Sequence, residues 1–215
     1  MLATALLHRD ARVLRHLGLW APVLLALGAA LVFALPMLVG GWAVFGLNLT
    51  LGILNLIART IGAGFFEELY FRGFLFGQLY RKTRLGFVPA IAACSLFFAA
   101  AHLYQSQDPA TLVGVFFTTF MGSALFAWLL VEWDDNLWVP IWLHTLMNLS
   151  WHLFSMGDTA LGSVWANVLR ALTIAASIVL TIGYRQGWGV AIGREQLFWR
   201  KTGQPDADGY SGKSS

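Results

Sequence analysis

Long apolar runs separated by short polar turns dominate the chain. A membrane-spanning helix needs roughly 20 mostly apolar residues, and the first run, at about 18–39, meets that length. Gly40-Gly41 is expected to make the turn that follows. A second run begins near Trp42 and reaches about Tyr80, interrupted by Arg59, Gly62 and Gly64. It is too long for one simple span and too short for two comfortable ones, so it reads as a long helix, either continuous or broken near the glycines. Further spans are expected at about 86–104, 110–131, 137–156 and 161–185. "QSQDPATL" opens the fourth of these six, with Asp108 as its N-cap and Pro109 at the first helical position. "EWDDN", residues 132–136, is a polar turn. The predicted fold is an all-α, polytopic membrane bundle of about six spans.

Composition agrees with that pattern. Of the 215 residues, 58% are hydrophobic and 12% are charged, about half the charged share of a water-soluble domain. Residues 1–17 carry Arg9, Arg12 and Arg15 among leucines at near-helical spacing and read as an interfacial segment. A cleaved signal peptide fits less well, because the following apolar run has the length of a span. The bundle is assigned to 18–187, and 188–215 reads as a largely disordered tail. The lone Cys94 excludes an internal disulfide and reads as a small buried hydrophobe. Three basic clusters (Arg9/Arg12/Arg15, Arg81/Lys82/Arg84 and Arg185/Arg194/Arg200/Lys201) fall at one end of a six-span scheme. That pattern predicts both termini in the cytoplasm.

The spans must also hide polar groups: Glu67, Glu68, Arg72, His102, His144, Asn148, His152 and Arg170. An acid or arginine at the bilayer centre costs at least about 2.5–3.5 kcal/mol, and such groups usually face the bundle interior and mark function. In "FFEELYFRGF", Glu68 and Arg72 are spaced i,i+4 and can pair. Glu67 has no local partner, and a carboxylate lacking a nearby cation in apolar surroundings suits general-base chemistry. Phe98 and His102 share a face of the third span, and His144 and Asn148 a face of the fifth. Arg170 and His152 read as structural. Counted from the basic end at about 1.5 Å per residue, Glu67 and His102 lie about 20 and 24 Å deep, but His144 only about 10 Å and Asn148 about 17 Å.

Together, EExxxR at Glu67, Glu68 and Arg72, FxxxH at Phe98 and His102, and HxxxN at His144 and Asn148 resemble the CPBP family, the CAAX proteases and bacteriocin-processing enzymes also called Abi. The resemblance spans about residues 42–155. It implies an intramembrane endopeptidase in which Glu67, helped by His102, activates water. His144 and Asn148 would stabilise the oxyanion, and Glu68 and Arg72 would orient the site. The implied substrate is a hydrophobic or membrane-anchored peptide or protein, with no nucleic acid partner. A bacterial inner-membrane setting, expected from size and composition, argues against prenylated substrates. No cofactor is expected. A zinc ion on Glu67, His102 and His144 is the alternative, since two His and one Glu can bind zinc with an open fourth position. A non-catalytic scaffold or regulator of the same fold and a small ion- or proton-coupled transporter are the rival readings.

Overall fold

The computed structural model describes residues 13–186, 192 and 196–199. Among these residues, a short helical turn at Val13–His16 precedes six helices and no strand forms. Helix α1 is Val23–Phe45, α2 runs over 53–82, and α3 is Phe87–Ala100 followed by a 3-10 turn at Leu103–Gln105. Helix α4 is Pro109–Glu132, α5 is Trp138–Leu153 and α6 is Val164–Arg185. Four segments are long and apolar enough to cross a membrane: α1, α3 with its 3-10 turn, α4 and α6.

The bundle is polar inside and apolar outside along part of its surface. Helix α6 buries Thr173, Ser177, Thr181 and Arg185 at i,i+4 spacing. Leu172, Val179, Leu180 and Ile182 of the same helix are exposed. In water this arrangement would be upside down. In lipid, exposed apolar side chains lose nothing, and hydroxyls serve as interhelical hydrogen-bond partners. Thr181 Oγ1 accepts from Trp133 Nε1 at 3.0 Å. Helix α1 turns Ala26, Ala30, Phe33, Ala34 and Met37 inward, chiefly onto α5 and α6.

The polar ends fix the topology. At one end Arg81 Nη1 donates to the His16 carbonyl at 2.7 Å, and its Nη2 lies 2.7 Å from Asp135. Arg185 pairs there with Asp134 at 2.9 Å. Residues 85–88 also carry the returning tail: Val88 N–H donates to Leu197 O at 2.8 Å, and Leu85 bridges Trp199. The opposite, far end holds the α1–α2, α3–α4 and α5–α6 connections, with Asn48 N–H donating to Leu153 O at 2.7 Å. The described basic residues of the three clusters therefore share one end. Arg9, Arg12, Arg194, Arg200, Lys201 and most of the predicted tail lie outside the described residues.

One expectation is corrected, and one alternative is decided. Gly40-Gly41 makes no turn, because α1 continues to Phe45 and ends at Gly46, whose φ is +70°. The two glycines are packing positions instead: a Cβ on Gly41 would collide with Met156 and Phe154, and one on Gly40 with Leu169. Helix α2 is not broken at Gly62 or Gly64. It is continuous, with π-helical hydrogen bonding at Ala58–Gly62 and Glu68–Phe76. Asp108 caps α4 as predicted, accepting from the Thr111 N–H at 2.8 Å, and these bonds hold its carboxyl below the usual range.

The depth disagreement has a structural answer. A Cβ on Gly73 would stand 2.9 Å from Leu137 Cδ2 and 3.1 Å from Leu17 O. Helix α5 therefore begins level with Gly73, about 13 Å inside the Lys82 end of α2 at 1.5 Å per residue. From that level His144 and Glu67 lie at about the same height, roughly 10 and 9 Å further in. A Cβ on Gly64 would overlap Thr145 Oγ1 and lie 3.2 Å from Ile141 O. This close approach of α2 to α5 brings the two acids to His144.

Candidate active site

Glu68 and Arg72 are fully buried, with Arg72 Nη1 3.1 Å from Glu68 Oε1. The i,i+4 pair expected from sequence is therefore present, and it has further partners. Glu68 Oε1 also lies 2.7 Å from His144 Nδ1 of α5. The Arg72 guanidinium stacks 4.3 Å from the Phe98 ring and 5.3 Å from Phe126. A buried charge is tolerated when paired and otherwise is strongly destabilising. Here one carboxylate and two ring faces surround the cation.

Glu67, the next residue, points elsewhere. Its Oε2 lies 4.0 Å from His102 Nε2 and 3.9 Å from His144 Nε2, and no protein group hydrogen-bonds it. Both separations are too long for direct hydrogen bonds and suit one intervening water oxygen. Two ligands on one tetrahedral zinc at about 2.0–2.2 Å would stand roughly 3.3 Å apart, closer than these atoms are. Among the described residues, no group of three His, Cys, Asp or Glu is arranged to hold a metal ion.

The imidazole partners orient both rings. His102 Nδ1 lies 2.8 Å from Phe98 O. A carbonyl only accepts, so Nδ1 carries the proton and Nε2 turns its lone pair toward Glu67. His144 Nδ1 faces an ion-paired carboxylate, so it too donates. Its ring stacks on Phe126 with centroids 5.1 Å apart, and Phe98 supports His102 at 4.4 Å. Asn148 Nδ2 donates to Arg59 O at 3.2 Å, which leaves its second N–H for another acceptor.

Glu67, His102, His144 and Asn148 line one cavity of about 850 Å³. It extends toward the far end, past His152 and Arg170 to Gln105 and Asp158. Arg170 and His152 read as structural from their spacing, yet both border the cavity. Phe126 carried no sequence signal, being one of several phenylalanines in α4. The Glu68–His144 contact was equally hidden, because its partners are 76 residues apart.

Residues 49–150 match the family model for Rce1-like proteins, described as type II CAAX prenyl endopeptidase Rce1-like. The matched span contains all three motifs. No curated protein and no solved structure matches the chain. With its apolar helices, the family match makes this an integral membrane protein.

Proposed function

Since residues 49–150 match the family model for Rce1-like CAAX prenyl endopeptidases, we propose that this chain is an intramembrane endopeptidase with Glu67 as its general base. The reading rests chiefly on the buried Glu67 Oε2, unpartnered and flanked by two imidazole Nε2 atoms on one cavity. A water held between Glu67 and His102 would donate one proton toward each acceptor. As its oxygen attacks the peptide carbonyl carbon, Glu67 takes the proton. It then returns that proton to the amine nitrogen as the C–N bond breaks.

Negative charge develops on the carbonyl oxygen. Asn148 can donate to it through its second N–H. His144 can donate from Nε2 as an imidazolium, whose charge Glu68 opposes at 2.7 Å. Preorganised donors of this kind contribute about 2.7–4 kcal/mol in a studied protease. Arg72 pairs with Glu68 at 3.1 Å and holds it in place. The substrate class is a hydrophobic or membrane-anchored peptide, since the cavity lies among spanning helices. Both termini are assigned to the cytoplasm on the basic end.

The membrane peptidome of cells expressing wild type, compared with Glu67→Gln at equal abundance, tests the proposal. A peptide that accumulates uncut only with the variant is expected. Identical peptidomes in a host where the chain has its biological effect would support a scaffold instead.

A further inference from the structure

The two histidines of the site are held by different means. His102 shares α3 with Phe98, and their ring centroids stand 4.4 Å apart. His144 has no aromatic neighbour one turn away on α5, where Pro140 and Asn148 flank it. Its ring lies instead on Phe126 of α4, with centroids 5.1 Å apart and planes 22° from parallel. Both phenylalanines touch a third group. The Arg72 guanidinium is 4.3 Å from the Phe98 centroid and 5.3 Å from that of Phe126. His102, Phe98, Arg72, Phe126 and His144 thus follow one another in contact, from four helices.

Arg72 is fully buried, and among the described residues its ionic contact is Nη1 to Glu68 Oε1 at 3.1 Å. Its Nε and Nη2 have no hydrogen-bond partner. An aromatic face carries negative potential and attracts a cation, more strongly where water is excluded. Phe126 is itself buried, so its face supports Arg72 where water is excluded.

His144 uses the same ring differently. The 2.7 Å contact from Nδ1 to Glu68 Oε1 fixes one edge of the imidazole but leaves the ring free to turn about that line. A flat partner against its face removes this freedom and aims Nε2 toward Glu67 Oε2, 3.9 Å away. In the proposed reaction Nε2 donates as an imidazolium, and the aromatic face then meets a second cation.

We propose that Phe126 is a positioning residue of this site. Its ring face holds His144 in the plane from which Nε2 donates, and ties that plane to Arg72. The inference rests on the protease reading and adds to it a residue outside the three motifs. Phe126 acts through His144, as Phe98 acts through His102. Phe98 does so from its own helix, whereas Phe126 reaches across from another.

Replacing Phe126 in the full-length protein with phenylalanines carrying one, two and three fluorines tests this. Fluorine withdraws charge from the ring face with little change in shape, so packing is kept while the attraction for a cation fades. On the peptide found by peptidome comparison, kcat should fall stepwise, to about a tenth with three fluorines, the scale of one lost cation–π contact. KM and thermal unfolding in detergent should stay constant. The same series at Phe120, which stacks on Phe116 of α4, should change nothing. Phe126→Leu should lower kcat further, about a hundredfold, because the imidazole plane is then lost as well. NMR of histidine-labelled protein gives a readout independent of cleavage. The His144 Cε1–H signal, identified by its loss in His144→Gln, should move downfield in Phe126→Leu as the ring current over it disappears. If Phe126→Leu does not accumulate, the fluorine series carries the test. A series without effect on kcat, an effect on KM alone, or a His144 signal unmoved by Phe126→Leu overturns the proposal. If the wild type cuts nothing while the His144 signal still responds to Phe126→Leu, the protease reading alone fails and the ring contact stands.

Discussion

His144 Nδ1 lies 2.7 Å from Glu68 Oε1, joining the second acid of the EExxxR motif to the histidine of HxxxN. Glu68 serves Arg72 on its own helix and His144 across the bundle. Removing its charge should therefore affect turnover more than substrate capture. Glu68→Gln can still accept from Nδ1 but no longer opposes an imidazolium. We expect kcat to fall by about two orders of magnitude with little change in KM, the pattern for a lost transition-state interaction. Steady-state kinetics on the substrate found by peptidome comparison would measure it.

Arg72→Met should cost stability directly. It leaves Glu68 fully buried without its cation, and breaking a buried pair costs about 3–5 kcal/mol. Adding Glu68→Gln should recover part of that loss, because no charge then remains buried. Thermal unfolding in detergent, or abundance in the membrane, reports both. Equal stability of Arg72→Met and wild type would show that the ion pair is not holding the bundle.

Gly64→Val should separate α2 from α5. Its side chain would occupy the space of Thr145 and the Ile141 carbonyl, and overpacking of this kind costs about 1–3 kcal/mol. Activity should fall further than stability, because Glu67 and Glu68 sit one turn away. Gly28→Ala is the control. Nothing lies within 4 Å of its added Cβ, so the helix preference for alanine, up to about 1 kcal/mol, should leave abundance equal or raised.

Chelation should leave cleavage intact. Purified protein treated with a strong chelator and dialysed is expected to keep its rate. Stoichiometric zinc in the untreated protein, with activity lost on chelation and restored by zinc, would transfer the chemistry to the metal.

Cysteine labelling should read the orientation. Cys94 is buried, its thiol 3.0 Å from Phe71 O, so the background is low. In intact cells a membrane-impermeant maleimide should label Ser106→Cys at the far end and spare Arg84→Cys at the basic end. The reverse result would invert the topology and place the cavity mouth on the cytoplasmic side.

The apolar runs announced the spans because lipid imposes length and composition on a helix. The i,i+4 spacings announced Glu68–Arg72 and Phe98–His102 because those contacts are local. What stayed hidden depends on relations between segments. Gly40 and Gly41 looked like a turn, since glycine breaks helices and also lets them touch, and only Met156, Phe154 and Leu169 decide which. The depth of α5 could not be counted from its own ends, because Leu137 starts it level with Gly73. Phe126 reaches His144 from a helix with no motif.

The two wide turns of α2 matter for how its length can drift over time. A π turn is an α turn holding one additional residue within unbroken backbone bonding. Losing one residue from either wide turn would close that turn to α geometry and leave the two sides nearly in register, whereas losing one from the α-helical residues 63–66 between them would rotate everything upstream by about 100° relative to everything downstream. A deletion of the second kind would leave a chain that still inserts and folds, but with Arg59 swung out of register with Glu67. Descendants could thereby keep the architecture and lose the chemistry in one genetic step.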